Sequence, residues 1–214
     1  MAQPTDTLAD IGADHAWLLT ALACAGKIRR GIGVEIAQGP FDTACRHIAE
    51  QGLSEQVQMR LGDGLQPLAQ GEATACVIAG MGGKTIRTIL QDSPAIAKGM
   101  DYLLLQPMTG EDGLRLYLQE NGWRLSRETL VQERGIIYQI MVAVRGYMAP
   151  LGEAEAAFGP LLLATGHQLL PALVEARVQE IQRIIDGLGR SETPEAREKE
   201  TRLRERAREW EGLA

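Results

Sequence analysis

The sequence predicts an α/β domain built on a mostly parallel seven-stranded sheet, followed by a helical hairpin. Three observations carry that expectation. Short apolar strands alternate with helix-length segments through the first 120 residues, two strand-like runs then follow with only a tight turn between them, and beyond about Pro150 the chain turns to long charged helices. The expected domains are therefore residues 1–150 and 151–214.

The opening strand is Leu8-Ala9-Asp10-Ile11, and Gly12-Ala13-Asp14-His15 turns from it into a helix near Ala16. Glycine permits close approach of backbone to a ligand, and the free N–H groups of a helix start add hydrogen-bond donors. Trp17 to Ala25 reads as the first helix, closed by Gly26, and Gly31 to Ile36 as the second strand. Pro40 to Gln51 is helical, Val57 to Leu61 is a strand, and Ala75-Cys76-Val77-Ile78-Ala79 is apolar throughout, as a strand buried on both faces should be. After Gly80-Met81-Gly82-Gly83 a helix spans Lys84 to Leu90; Tyr102 to Pro107 is the fifth strand, and Asp112 to Glu120 a helix stopped by Asn121-Gly122. Trp123 to Glu133 and Gly135 to Arg145 meet at Arg134-Gly135, so they pair as an antiparallel hairpin.

In the tail, Val174, Val178, Ile181, Ile185 and Leu188 alternate spacings of four and three, the seam of a coiled coil. Gly187 to Pro194 supplies a reversal, Thr193-Pro194-Glu195 a helix start, and Ala196, Leu203, Ala207 and Trp210 the returning stripe. Arg202, Arg204, Arg206 and Arg208 are interleaved with glutamates and read as a solvated face.

Composition narrows the class of function. Of 214 residues 45% are hydrophobic but only 4% aromatic, so the core is aliphatic. The net charge of −6, with both halves acidic, argues against a surface that grips nucleic acid everywhere and leaves room for a local basic patch, for which Lys27, Arg29, Arg30, Lys84 and Arg87 are candidates. No apolar run is long enough to span a bilayer and no signal peptide opens the chain, so a cytoplasmic protein with no membrane contact is expected. Cys24, Cys45 and Cys76 are too far apart for a zinc site or a disulfide framework and read as small reduced core residues; no metal is expected.

A parallel sheet finishing in a hairpin is the arrangement of class I S-adenosylmethionine-dependent methyltransferases. A nicotinamide-dependent dehydrogenase would carry G-x-G-x-x-G after its first strand, which Gly12 to Trp17 lacks. Glu35 stands twenty-three positions after Gly12, where such folds place an acid on the ribose, and Asp63 ends the third strand, where a carboxylate can accept from an adenine amino group.

Asp10-Ile11-Gly12-Ala13-Asp14-His15-Ala16, Gly62-Asp63-Gly64-Leu65, Ala79-Gly80-Met81-Gly82-Gly83 and Leu105-Gln106-Pro107, in this order, resemble the bacterial tRNA (adenine(22)-N1)-methyltransferase family. The resemblance extends through Gly39-Pro40 and into the tail. It implies a Rossmann-like class I methyltransferase domain with a C-terminal coiled coil, S-adenosylmethionine as cofactor, and methylation of N1 of adenosine 22 in the tRNA D-arm by a monomer. The implied cofactor residues are Asp10, Gly12, Glu35, Ile36, Asp63, Gly64, Gly80 and Met81, and the implied substrate residues Trp17, Gly82, Gly83, Lys84, Arg87, Gln106 and Pro107. Asp14, with His15 beside it, is the implied catalytic pair. The family continues its D-H motif with A-Y-L-P, where this chain has Ala16-Trp17-Leu18-Leu19, and it carries a helix before the first strand, whereas this chain begins almost at the strand. Alternatives are a methyltransferase of the same fold acting on another RNA or a small molecule, and a non-catalytic RNA-binding protein with a vestigial cofactor pocket.

Overall fold

A computed structural model describes residues 5–188 and 193–213. In chain order the elements are β1 (Thr5–Ile11), α1 (Trp17–Cys24), β2 (Ile28–Glu35), α2 (Gln38–Glu50), β3 (Val57–Leu61), β4 (Ala75–Met81), α3 (Gly83–Asp92), α4 (Pro94–Lys98), β5 (Tyr102–Pro107), α5 (Glu111–Glu120), β6 (Trp123–Glu133), β7 (Ile136–Arg145), α6 (Glu153–Phe158), α7 (Pro160–Thr165), α8 (Leu170–Leu188) and α9 (Pro194–Glu211). The short helix α4 and the pair α6 and α7 are additions to the expected order. Pro94 and Pro160 each open one of them, where a fixed φ suits the first helical turn.

The sheet order is β3-β2-β1-β4-β5-β7-β6. Strands β1 to β5 pair in parallel and β7 runs antiparallel to β5, with Tyr102 opposite Val144 and Leu105 opposite Met141. Chain order reverses between β1 and β4, and the carboxyl ends of strands flanking such a switch point form a natural ligand crevice. Leu8, Ala9, Cys76, Ile78, Leu103 and Leu105 are fully buried in these central strands. At Arg134 and Gly135 both φ angles are positive (49° and 81°), the geometry that lets a two-residue turn follow the twist of its strands.

Two compact units divide the chain: residues 1–128 with 139–150, and residues 129–138 with 151–214. The tip of the β6–β7 hairpin thus groups with the tail rather than with the sheet, because Leu130 and Ile137 join the cluster of Phe158, Leu162, Leu173, Val174, Ile181, Ile185 and Trp210. Within the second unit α8 and α9 pack on one another. Val174, Ile181 and Ile185 are buried and Val178 half-buried along the expected seam, and Thr193 Oγ1 accepts from Ala196 N at 3.3 Å to cap α9. Of the expected reversal, residues 189–192 lie outside the described residues. Arg202 pairs with Glu198 and Arg204 with Glu200 at i,i+4 spacing, as a solvated face would have them.

Two expectations are corrected. Only Cys76 is a core residue; Cys24 and Cys45 are exposed on α1 and α2. Lys27, Arg29 and Arg30 stand at the amino end of β2, on the opposite edge of the sheet from the crevice, and Arg29 pairs with Asp6 at 3.5 Å. Among the described residues no helix is long and apolar enough to cross a membrane, and no group of three or more His, Cys, Asp or Glu could hold a metal ion.

Candidate functional site

A cavity of about 300 Å³ opens at the carboxyl ends of the strands, lined by Ile11, Gly12, Val34, Glu35, Ile36, Gly62, Asp63, Gly64, Met81, Thr85 and Ile89. Gly12 leaves β1 at φ +74°, and both its N–H and that of Ala13 donate to Val34 O, at 2.9 and 3.1 Å. A Cβ at Gly12 would come within 2.4 Å of Met81 Cε, the movable end of a side chain, so it is the left-handed φ that calls for glycine here.

Glu35 is the organising side chain. It is buried at the end of β2, and its carboxylate accepts three backbone N–H groups: Ile36 at 3.0 Å and Ala37 at 3.2 Å on Oε1, and Asp14 at 3.2 Å on Oε2. A carboxylate offers about four acceptor sites, so one remains for a ligand hydroxyl. Ile36, 68% exposed, Ile89 and Val34 give the cavity its apolar walls, and Asp63 stands at the rim as the second acid.

Beyond Gly12 the backbone is strained. Asp14 (φ 48°) and Ala16 (φ 57°) are both left-handed, a conformation that costs an L-residue roughly 1–2 kcal/mol. The Asp14 carboxylate is exposed and lies 3.6 Å from His15 Nε2, so the two are neighbours rather than a hydrogen-bonded pair. Asp10, by contrast, does not line the cavity. It is buried in β1, and burial pushes its carboxyl up from the ordinary 3.8 to about 7. Cys76, also fully buried, has its thiol pushed up by burial first and by the Asp10 charge second.

On the other side of the switch point Gly80 is the extra residue of a bulge in β4, at φ +73°, and its N–H donates to Gln106 Oε1 at 2.9 Å. Gln106 thus braces the loop, and its amide N–H donates to Pro107 O. Gly83 and Pro107, expected at the substrate, are buried against protein: Gly83 N donates to Thr109 O at 2.7 Å, and a Cβ there would lie 2.4 Å from Gly110 O. Lys84 is exposed at the start of α3, while Arg87 lies against Gly113 of α5. Trp17 stands apart from the cavity, in an open groove with His15 and α2. Sequence reasoning missed Ile11, Val34, Gly62, Thr85 and Ile89 as cavity residues, since apolar residues, a glycine and a threonine carry no ligand signature until the strand and helix ends converge.

Comparison with known proteins agrees with this geometry. The sequence pattern of the tRNA (adenine(22)-N(1))-methyltransferase family matches residues 8–211. The Bacillus subtilis tRNA (adenine(22)-N(1))-methyltransferase is 34% identical over 170 residues, 79% of this chain and 69% of that protein. The crystal structure of the B. subtilis m1A22 tRNA methyltransferase TrmK superposes with a TM-score of 0.91 at 29% identity, covering 99% of this chain and 93% of that one. A Streptococcus pneumoniae protein solved in complex with S-adenosyl-L-methionine matches at a TM-score of 0.83 and 30% identity over 96% of this chain and 94% of its own. With a cofactor-sized cavity at the switch point and a family pattern that spans both units, the chain belongs to the tRNA (adenine(22)-N(1))-methyltransferase family.

Proposed function

We infer that this chain transfers a methyl group from S-adenosylmethionine to N1 of adenosine 22 in the D-arm of tRNA. The observation that carries the reading is the Glu35 carboxylate, held by three backbone N–H groups at the wall of an apolar-sided cavity with an acceptor site to spare, beside a turn that leaves the Asp14 carboxylate exposed.

The cavity fits a nucleoside cofactor. Glu35 would accept from a ribose hydroxyl, Asp63 with the backbone of Gly64 would meet the adenine edge, and Ile36 and Ile89 would cover its faces. Gly12 and Met81 would border the remainder of the ligand, and the acids favour a cationic one. When bound, S-adenosylmethionine supplies an electrophilic methyl group on a sulfonium sulfur.

The chain's own task is placement. N1 of adenine carries a lone pair on the Watson–Crick edge, so the acceptor base must be unpaired or flipped out of its stack. Alignment supplies most of the acceleration, and a strong base is not required. Asp14 stabilises the positive charge that grows on the ring as N1 is alkylated, or takes a proton from N6. His15 stands beside it, with Nε2 3.6 Å from the Asp14 carboxylate. Gly82 is half-buried and Lys84 exposed where β4 passes into α3, and a flat base and a phosphate could approach there.

The test is methyl transfer from labelled S-adenosylmethionine to unmodified tRNA transcripts, with the product nucleoside identified by mass spectrometry. One N1-methyladenosine per tRNA, lost when adenosine 22 is replaced by guanosine, is the expected result. Cofactor binding without transfer to any tRNA overturns the substrate assignment.

A further inference from the structure

A second concavity, of about 380 Å³, lies outside the cofactor cavity and is lined by His15, Trp17, Thr43, Arg46, His47 and Glu50. Only its first two residues belong to the turn considered so far; the other four lie on α2. We propose that this groove is a subsite for an unpaired nucleotide of the tRNA next to the target adenosine, its base stacked on Trp17 and its phosphate at Arg46. The inference rests on the tRNA methyltransferase reading and extends it from His15 and Trp17 to residues of α2 which that reading does not use.

Three features carry it. Trp17 is 65% exposed, and an indole so placed presents a broad apolar face to solvent that a base can cover. Its other neighbour is the His47 ring, with centroids 4.0 Å apart and planes tilted by 51°, which fixes the indole in orientation. Second, His47 Nδ1 lies 2.8 Å from His15 O. A carbonyl only accepts, so Nδ1 carries the proton and Nε2 is left for a ligand. The same bond ties α2 to the strained turn at Ala16. Third, among the described residues the Arg46 guanidinium makes no ion pair. It is exposed and donates only to Thr43 Oγ1, at 3.2 Å, so its charge is available to a phosphate. Glu50, one turn further along α2, disfavours a phosphate at its own end and leaves the cationic Arg46 end to receive the anion.

The arrangement also has the right adjacency. Gly12 and Glu35 line the cofactor cavity, His15 and Trp17 line the groove, and Asp14 lies between them with its N–H on Glu35. A nucleotide in the groove would therefore sit across the Asp14 turn from the cofactor.

The experiment measures binding of unmodified tRNA to the full chain by fluorescence anisotropy, with S-adenosylhomocysteine affinity measured by calorimetry on the same preparations. Arg46→Glu and Trp17→Ala are each expected to weaken tRNA binding about tenfold, and Trp17→Phe to recover most of the loss, because a ring restores stacking. Lys98→Glu on α4, the same charge change near the opposite sheet edge, should leave tRNA affinity within twofold. Arg46 is a surface residue, so intact S-adenosylhomocysteine binding by Arg46→Glu certifies the fold even where Trp17→Ala misfolds. Unchanged tRNA affinity in Arg46→Glu overturns the subsite. A native chain that shows this binding pattern but methylates no tRNA overturns the catalytic reading and keeps the groove; one that binds no tRNA overturns both.

Discussion

The backbone N–H of Asp14 donates to Glu35 Oε2 at 3.2 Å, across the two strand ends that flank the cavity. In the proposed site one carboxylate thus has two tasks: it would offer an acceptor to the cofactor, and it sets the turn that carries Asp14.

Glu35→Gln should separate these tasks poorly. An amide NH₂ must face at least one of the three N–H donors that the carboxylate now receives, leaving a buried donor unsatisfied. We expect S-adenosylhomocysteine affinity to fall at least tenfold and stability by about 1–3 kcal/mol, read by calorimetry and by urea unfolding. Affinity within twofold of the native chain removes Glu35 from the site.

At Asp14 the informative variant is Asn rather than Ala, because Asn tolerates the left-handed backbone (φ 48°) that alanine resists. Asp14→Asn removes charge and proton acceptor while keeping shape. A kcat loss of about 10²-fold or more is expected, with S-adenosylhomocysteine affinity within threefold. An unaltered rate assigns the residue to the turn alone.

Asp10 makes the protein's stability depend on pH in an unusual direction for a carboxylate. Its folded pKa of about 7 lies above the ordinary 3.8, so between those values the folded state keeps a proton that the unfolded chain has released. Stability from this group is therefore unaffected below about pH 4, falls as pH rises to 7, and is lower by about 4 kcal/mol above it. Asp10→Asn abolishes the loss. Urea midpoints at pH 5 and pH 8 check this: the native chain should lose stability relative to the variant on going to pH 8, and parallel behaviour of the two refutes the cause.

Two glycines of the β4–α3 loop should behave differently. At Gly83 a methyl group meets the backbone oxygens of Gly110 and Thr109, at 2.4 and 2.9 Å, and neither can swing away as a side chain could. Gly83→Ala should cost about 1–3 kcal/mol and lower kcat by displacing the loop. Gly80 has open space around it, so Gly80→Ala meets only the strain of its positive φ, about 1–2 kcal/mol. Thermal unfolding of both variants, with kcat, distinguishes contact from strain; equal rates for Gly83→Ala and the native chain remove the loop from the active geometry.

The order of strands and helices was legible in the sequence because each of these signals is local. Apolar runs of five or six residues bounded by glycine, such as Ala75 to Ala79, have one way to be satisfied, and Gly12, Gly26, Gly52 and Gly122 each stand at a positive φ where a strand or helix ends. Glu35 and Asp63 were legible for the same reason: an acid at a strand's carboxyl end falls at the crevice once the sheet is parallel. The heptad spacing from Val174 to Ile185 likewise specified its buried face.

Tertiary structure alone decided which groups meet. Arg115 is wholly buried in α5, its Nε 2.9 Å from Glu128 and its guanidinium 2.7 Å from Gln139, an ion pair joining residues that no periodicity relates. That Gln106 braces Gly80 and that Asp10 lies buried in β1 was not legible in the sequence, because a side chain's direction at a strand end depends on the neighbouring strand's bulge and register. His47 and Arg46 came to Trp17 only when α1 and α2 packed on the same sheet. Local pattern fixes elements because backbone hydrogen bonding and burial act over a few residues; a site is made by contacts between segments distant in the chain, whose geometry is set when the sheet closes.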